Sequence, residues 1–225
     1  MKLSIILPVL NEAESLADKL KDLQPLRGAC ELIVVDGGSQ DNSRAIAAVL
    51  VDKVLQSPRG RARQMNIGAA AATGDVLLFL HADTQLPAAA HETILQTMAN
   101  GYQWGRFDVV FDDTRWVFKL IAQMMNWRSR WTGIATGDQA MFVTRKAFAQ
   151  VGGFPNIVLM EDIAISKHLN KHWGPVCLSA KVTTAARRWQ QNGVLRTIFL
   201  MWYLRLIYFL GADPAKLAAV YYGRT

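Results

Sequence analysis

The chain has 225 residues, of which 51% are hydrophobic, and a net charge of +7. On the rough scale of 100–200 residues per domain, that length carries one ordinary core with at most an appendage. The first apolar run, about six residues before Asn11 and Glu12, is shorter than the 7–15 of a secretory leader, and two distant cysteines, Cys30 and Cys177, exclude a disulfide framework and a cysteine zinc site. The expectation is a reduced, cytoplasmic protein.

Residues 3–8 (LSIILP) are apolar, β-branched and ended by proline, and are predicted as a buried strand. Residues 14–23 place apolar side chains at 16, 20 and 23, which is helical spacing. A second buried strand over 31–35 (ELIVV) breaks at Asp36-Gly37-Gly38-Ser39. A helix over 43–50, a strand over 53–56, a helix over 61–72 and a strand over 76–80 follow. Beyond these the pattern loosens: a strand within 101–111, a helix over 116–127, a loop over 133–139 and a strand over 140–143. A short helix over 146–151 precedes one over 161–172, which opens on Glu161 and Asp162 and closes on Lys171 and His172, as the helix dipole favours.

Residues 194–210 (VLRTIFLMWYLRLIYFL) are the most apolar stretch, but Arg196 and Arg205 interrupt it and it falls short of the ~20 residues that span a bilayer. A core helix and an interfacial helix compete here, Trp202, Tyr203 and the arginines keeping the second open. Residues 163–225 carry nine Lys or Arg and one acid, Asp213, so the basic charge is concentrated in the last quarter. Such a segment suits an anionic ligand, an anionic membrane surface or a nucleic acid, and equally a solvated basic face.

Strands alternating with helices predict right-handed βαβ units and a parallel sheet, with ligands beyond the carboxyl ends of the strands. The clusters Asn11-Glu12, Asp36 to Ser39 and His81 to Gln85 all follow strands directly and so converge on that edge. Asp and Gly also make good turns, but three carboxylate-bearing clusters at one edge exceed what turn chemistry asks for. No GxxxxGK[ST], GxGxxG, Gly-x-Ser-x-Gly or HExxH is present. What is left is carboxylate chemistry that suits Mg2+ or Mn2+ held partly by a substrate's phosphates.

The segments Pro8-Val9-Leu10-Asn11-Glu12, Val35-Asp36-Gly37-Gly38-Ser39-Gln40-Asp41, His81-Ala82-Asp83 and Glu161-Asp162 occur in this order and at spacings that resemble the family 2 glycosyltransferases. Gly137-Asp138-Gln139 and Arg187-Arg188-Trp189 extend the likeness, which looks closest to a compact bacterial radical-SAM/selenodomain-associated subgroup. The resemblance implies a GT-A fold, a Rossmann-like, mostly parallel sheet flanked by helices over residues 1–190, with a C-terminal helical extension over 191–225. It implies an inverting, metal-dependent transfer of sugar from a nucleotide donor, UDP- or GDP-linked, to a hydroxyl of a small or lipid-linked acceptor. Peripheral contact at the inner face of the membrane fits the basic, aromatic C-terminus.

The same resemblance assigns roles. Glu12 would accept from a ribose hydroxyl, with Pro8 and Leu10 beside the base; a helix N-terminal acid is the competing account. Asp36 would hold the base edge or ribose, or else close an Asx turn. Arg61 and Arg63 would reach the base or diphosphate, or start a solvated helix. Asp83 would bind Mn2+ or Mg2+, with Gln85 as a second ligand or a surface residue. The usual Asp-x-Asp is altered, since His81 stands where the first acid is expected and Ala82 between; both would lie against the donor, His81 bonding its ribose or diphosphate or merely tolerating the position. Asp162 would act as base with Glu161 beside it, unless both acids serve only the helix dipole. Gly137, Asp138 and Gln139 would line the acceptor pocket, and Arg187, Arg188 and Trp189 would close over the donor diphosphate, or form a basic stripe. Asp41 reads as a helix cap. A nucleotidyltransferase is the alternative enzyme, although PVLNEAES lacks its Gly-rich basic loop. A basic nucleic-acid-binding module is the alternative from another class, although no such motif appears and nucleic acid is not expected as a partner.

Overall fold

The computed structural model describes residues 1–223, apart from the side chain of Arg188. The first half follows the sequence pattern to within a residue or two: β1 (Leu3–Val9), α1 (Ala13–Asp22), β2 (Cys30–Asp36), α2 (Ser43–Leu50), β3 (Lys53–Gln56), α3 (Arg61–Ala71) and β4 (Val76–Phe79). There follow β5 (Thr84–Gln85), α4 (Ala90–Ala99), β6 (Trp104–Phe111), α5 (Trp116–Thr132), β7 (Phe142–Thr144) and α6 (Arg145–Gln150). The chain closes with α7 (Glu161–Asn170), β8 (Val176–Thr184), α8 (Arg187–Asn192), α9 (Val194–Phe209) and α10 (Pro214–Tyr221).

The strands form one sheet in the order β3-β2-β1-β4-β7-β6-β8-β5. β1·β2, β1·β4, β2·β3 and β6·β8 are parallel, while β7 runs antiparallel to β4 and β6, and β5 antiparallel to β8. Both faces of the central strands are covered, which is why they read as unbroken apolar runs. Leu3, Ile5, Leu7 and Val9 of β1 join one core with Leu16 and Leu20 of α1, while Ile6 faces the other core with Met65 and Ala69 of α3. Each such fully buried side chain contributes roughly 1.5–3 kcal/mol. α3 lies so close to the sheet that a Cβ on Gly68 would stand 2.4 Å from Ile6 Cγ2. Only glycine permits that approach.

Three departures from the sequence reading stand out. β8 was not predicted: its burial is mixed, with Ser179 and Lys181 in mid-strand, and pairing with β6 and β5 holds it instead of one apolar face. α4 was also missed, although Ala90, Ile94 and Met98 recur at helical spacing and are buried. α5 runs five residues past its expected end at 127, through Arg128 and Arg130, and stops where Gly133 adopts a left-handed φ of 66°. Leu204 of α9 and Leu217 of α10 pack with Ile134, Met160 and Ile163, which lays both C-terminal helices over the start of α7. The expected boundary at 190/191 falls inside α8.

Candidate active site

The parallel strands β1, β2 and β4 all deliver their carboxyl ends to one edge. Because β7 is antiparallel, its amino end arrives there too, led by a 3-10 turn over Gly137–Gln139. α7 begins at the same edge. A cavity of about 470 Å3 opens there between the sheet edge, α5 and α9, with Arg61, His81, Asp83, Asp138 and Trp189 among its walls.

The loops after β1 and β2 are stitched together. Asn11 takes a left-handed φ of 54°, and its side-chain oxygen accepts the Gln40 N–H at 2.8 Å. Ser39 Oγ accepts the Asn11 N–H at 2.9 Å, and Ser43 Oγ the Glu12 N–H at 2.8 Å. Asp41 accepts from the N–H groups of Ala13 and Ser43, so it caps both α1 and α2 as its position suggested. Asp36 is buried, and its oxygens accept the N–H groups of Gly38 and Ser39 at 3.2 Å, the Asx-turn geometry. Gln64 of α3 donates to the carbonyls of Val9 and Val35 at 2.9 and 2.8 Å, satisfying the backbone where the two strands part. Pro8 and Leu10 are half-buried on this same strand end.

Glu12 is half-buried beside Asp83. Burial raises its carboxyl above the ordinary value, Arg187 of α8 lowers it, and the Asp83 charge raises it further. Asp83 is exposed to the cavity, whereas His81 and Ala82 before it are buried. Lys19 of α1, not singled out from the sequence, holds this segment: its ammonium donates to the Thr84 carbonyl, and burial lowers it to about 8. On an isolated amphipathic helix Lys19 reads as a solvent-facing residue; only the arrival of β5 buries it.

His81 turns to the 3-10 turn. Its Nδ1 lies 3.5 Å from Asp138 Oδ1, and its ring is stacked so closely on Gly137 that a Cβ there would lie 2.1 Å from His81 Cε1. Burial alone would raise the Asp138 carboxyl, but His81, Arg61 and Arg205 outweigh it and hold it below its ordinary value. The Gly137 N–H donates to Asp162 Oδ2 at 2.9 Å, and the Ile163 N–H to Asp162 Oδ1 at 2.7 Å. Glu161 is buried, and desolvation with the neighbouring Asp162 charge raises it to about 7. Asp162, Glu161, Gly137, His81 and Arg61 share a small void next to the main cavity. The residue that leads into this pair, Met160, holds a left-handed φ of 70°. Asn66 grips the Phe154 backbone through both its amide atoms, at 2.8 and 2.9 Å, and ties that loop to α3.

Several expected residues point elsewhere. Arg63 donates to Asn156 Oδ1 at 2.9 Å and lines neither cavity. Gln85 donates to Asp22 Oδ2 at 3.2 Å on the α1 side. Gln139 is fully buried, forming a capping box with Thr136. These three have local polar partners that the linear pattern did not show. Trp189 lines the cavity edge-on to Phe111, and Arg187 stands near Glu12. Arg188 falls in α8 and its side chain lies outside what the structure describes.

The model of Glycosyl transferase family 2 matches residues 4–152. An undecaprenyl-phosphate 4-deoxy-4-formamido-L-arabinose transferase of Proteus mirabilis is 33% identical over 155 residues, 61% of this chain and 46% of that protein. The chain thus spans about half the length of the curated relatives it matches. Two solved structures share the GT-A fold. Residues 1–349 of TarS from S. aureus superpose with a TM-score of 0.66 at 17% identity, covering 83% of this chain and 61% of that one. The mannosyltransferase PcManGT from Pyrobaculum calidifontis, in complex with GDP-Man and Mn2+, gives 0.62 at 20% identity, covering 82% and 56%.

Proposed function

The chain belongs to glycosyl transferase family 2, and on that premise we propose that it moves a sugar from a UDP- or GDP-linked donor to an acceptor hydroxyl, with inversion and with Mn2+ or Mg2+. One observation carries the reading: Glu12 and Asp83, delivered by different strands, come close enough for their charges to interact, and Asp83 lines a cavity with His81 and Asp138 that adjoins Asp162. The GDP-Man and Mn2+ of the Pyrobaculum structure support the donor class and the metal, and the Proteus relative supports a lipid-linked acceptor. The motif spacing supports placement with the compact radical-SAM/selenodomain-associated transferases.

The residues present fit a divalent cation. Asp83 offers an exposed carboxylate on the cavity wall, and the nearby Glu12 adds negative charge that a cation would offset. Among the described residues no three His, Cys, Asp or Glu form a ready cage, so Asp83 would share the ion with donor phosphates and water. When bound, the metal neutralises charge on the departing nucleoside diphosphate. Glu12 would orient the ribose, and Arg187, near Glu12, and Trp189, on the cavity wall, would cover the donor. Asp162, fixed by two backbone N–H groups, takes the proton of the acceptor hydroxyl as that oxygen attacks opposite the leaving group. Glu161, raised to about 7, is only partly ionised near neutral pH and so lessens the second charge beside Asp162. Calorimetric titration with UDP and GDP, with and without Mn2+, tests the donor end. Metal-dependent binding that loses its metal dependence in Asp83→Ala supports the reading, and metal-independent binding unaltered in that variant overturns it.

Peripheral membrane contact belongs to the same proposal. Trp127 and Trp131 of α5 stack at 5.8 Å and are 65% and 84% exposed, and α9 also exposes Phe199, Trp202 and Leu206. No helix among the described residues is long and apolar enough to cross a membrane.

A further inference from the structure

Arg128 of α5 and Arg205 of α9 have no part in the donor chemistry, yet both line the cavity. Nε and Nη2 of Arg128 and Nε of Arg205 are buried without a hydrogen-bond partner, and neither residue joins an ion pair among the described residues. An unpaired buried cation is costly, and so is an unmet N–H. Elsewhere the buried cation is neutralised: fully buried Arg106 pairs with Asp108, which also receives Arg130 at 2.7 Å, although Arg106 Nε likewise lacks a hydrogen-bond partner.

The position is built, not incidental. Asn126, one helical half-turn before Arg128, bonds the Val109 backbone through both amide atoms at 2.8 and 3.0 Å, and Arg130 on the other side is anchored to Asp108. α5 therefore presents Arg128 at a fixed height over the sheet. Burial and the charge of Arg205 lower Arg128 to about 10, and burial lowers Arg205 as well; an anion between them would reverse both effects.

The pair lies at the acceptor end. The carboxylates that act on Arg128 and Arg205 are Asp162 and Asp138, whereas Asp83 acts on Glu12 and Lys19. The charges that reach the arginines are thus those of the candidate base and of Asp138 beside it. The wall around them is apolar: Ile121, Met124, Met125, Ile198, Met201 and Trp202. Two guanidinium forks match more oxygen positions and more charge than one carboxylate offers, and a phosphate monoester dianion meets both.

We propose that Arg128 and Arg205 form a subsite for the phosphate of a phosphorylated acceptor, with the adjoining apolar wall taking that acceptor's nonpolar portion. This rests on the sugar-transfer reading of the cavity, whose acceptor it narrows to a phosphorylated compound. The phosphate belongs to either a lipid headgroup or a small soluble metabolite.

The test is calorimetric titration of the chain, saturated with nucleoside diphosphate and Mn2+, with inorganic phosphate, n-decyl phosphate and decanol. Both phosphates are expected to bind, and Arg128→Gln and Arg205→Gln to weaken them about tenfold or more while nucleoside diphosphate affinity holds. Tighter binding of n-decyl phosphate assigns a lipid source, and equal binding a small phosphorylated acceptor. Should either Gln variant fail to fold, Arg205→Lys keeps the charge, loses the fork and is expected to weaken phosphate several-fold. Phosphate that does not bind, or binds the variants as tightly as the parent, overturns the proposal. The phosphate titrations are repeated without nucleotide, so that failure of donor binding and failure of this subsite are read separately.

Discussion

Gly137 sits where the candidate base and the unusual histidine meet, and its replacement by alanine perturbs both through one methyl group. Built on the present backbone, that methyl lies 2.1 Å from His81 Cε1 and 2.2 Å from Nε2, far inside contact distance. His81 is 7% exposed, and toward the turn the void beside it measures about 10 Å3, so the ring can yield only toward the main cavity, away from Gly137. Either the imidazole leaves Asp138 or the 3-10 turn moves and carries the Gly137 N–H away from Asp162. Overpacking of this kind costs about 1–3 kcal/mol, which in a chain this size lowers Tm by roughly 2–4 °C per kcal/mol. A displacement of about 1 Å at the reacting groups lowers kcat on the order of 100-fold. Scanning fluorimetry and a coupled nucleoside diphosphate release assay read the two effects. Gly174→Ala is the control, since a Cβ there meets nothing within 4 Å, and it should match the parent in both assays. A Gly137→Ala variant with parental Tm and kcat would refute the packed geometry of His81 against this turn.

Asp162→Asn should retain nucleoside diphosphate affinity while transfer falls by about 10²–10⁴-fold; an Asn variant with parental turnover removes Asp162 as base. Glu31 is a separate test of the fold. It accepts from Ser4 Oγ at 2.6 Å, the Thr73 N–H at 2.7 Å and Lys53 Nζ at 2.8 Å. Burial pushes it up, but Lys53, Ser4 and Thr73 outweigh burial and bring it to about 2 from 4.5. Its stabilisation is therefore complete above about pH 4.5 and is lost as pH falls through about 2. By linkage it amounts to about 3 kcal/mol. Denaturant titrations should show Glu31→Gln less stable by that amount at pH 7, with the gap closing in acid; a gap independent of pH contradicts the assignment. At the surface, flotation with anionic liposomes at low salt should carry the protein upward and carry Trp127→Ala/Trp131→Ala less well. Equal flotation of the two would detach the aromatic patch from membrane contact.

The sequence was most legible where one force dominated. β1, β2 and β4 are buried on both faces, so their apolar runs mark them without knowledge of the partners. The same holds for the polar clusters that follow each strand, because the parallel arrangement fixes their common edge. The second half yields less, since its elements are held by partners distant in the chain. β8 depends on β6 and β5, and Lys181 in mid-strand hides its period. Arg205 reads as an interruption of an apolar helix, and its place in the cavity appears only when α9 crosses α5. Gln139 carries a plausible motif but is consumed by the Thr136 capping box. His81 shows both sides: its departure from the usual acid is visible in the sequence, while its stacking on Gly137 and its contact with Asp138 are not.

The central claim is that the edge carrying Glu12 and Asp83 receives a nucleotide-linked sugar. A screen of UDP-, GDP- and dTDP-sugars with Mn2+, reading release of the nucleoside diphosphate, tests it most directly. The account predicts release from at least one donor, lost in Asp83→Ala and in Glu12→Gln. No release from any donor, or release undiminished in both variants, would contradict it.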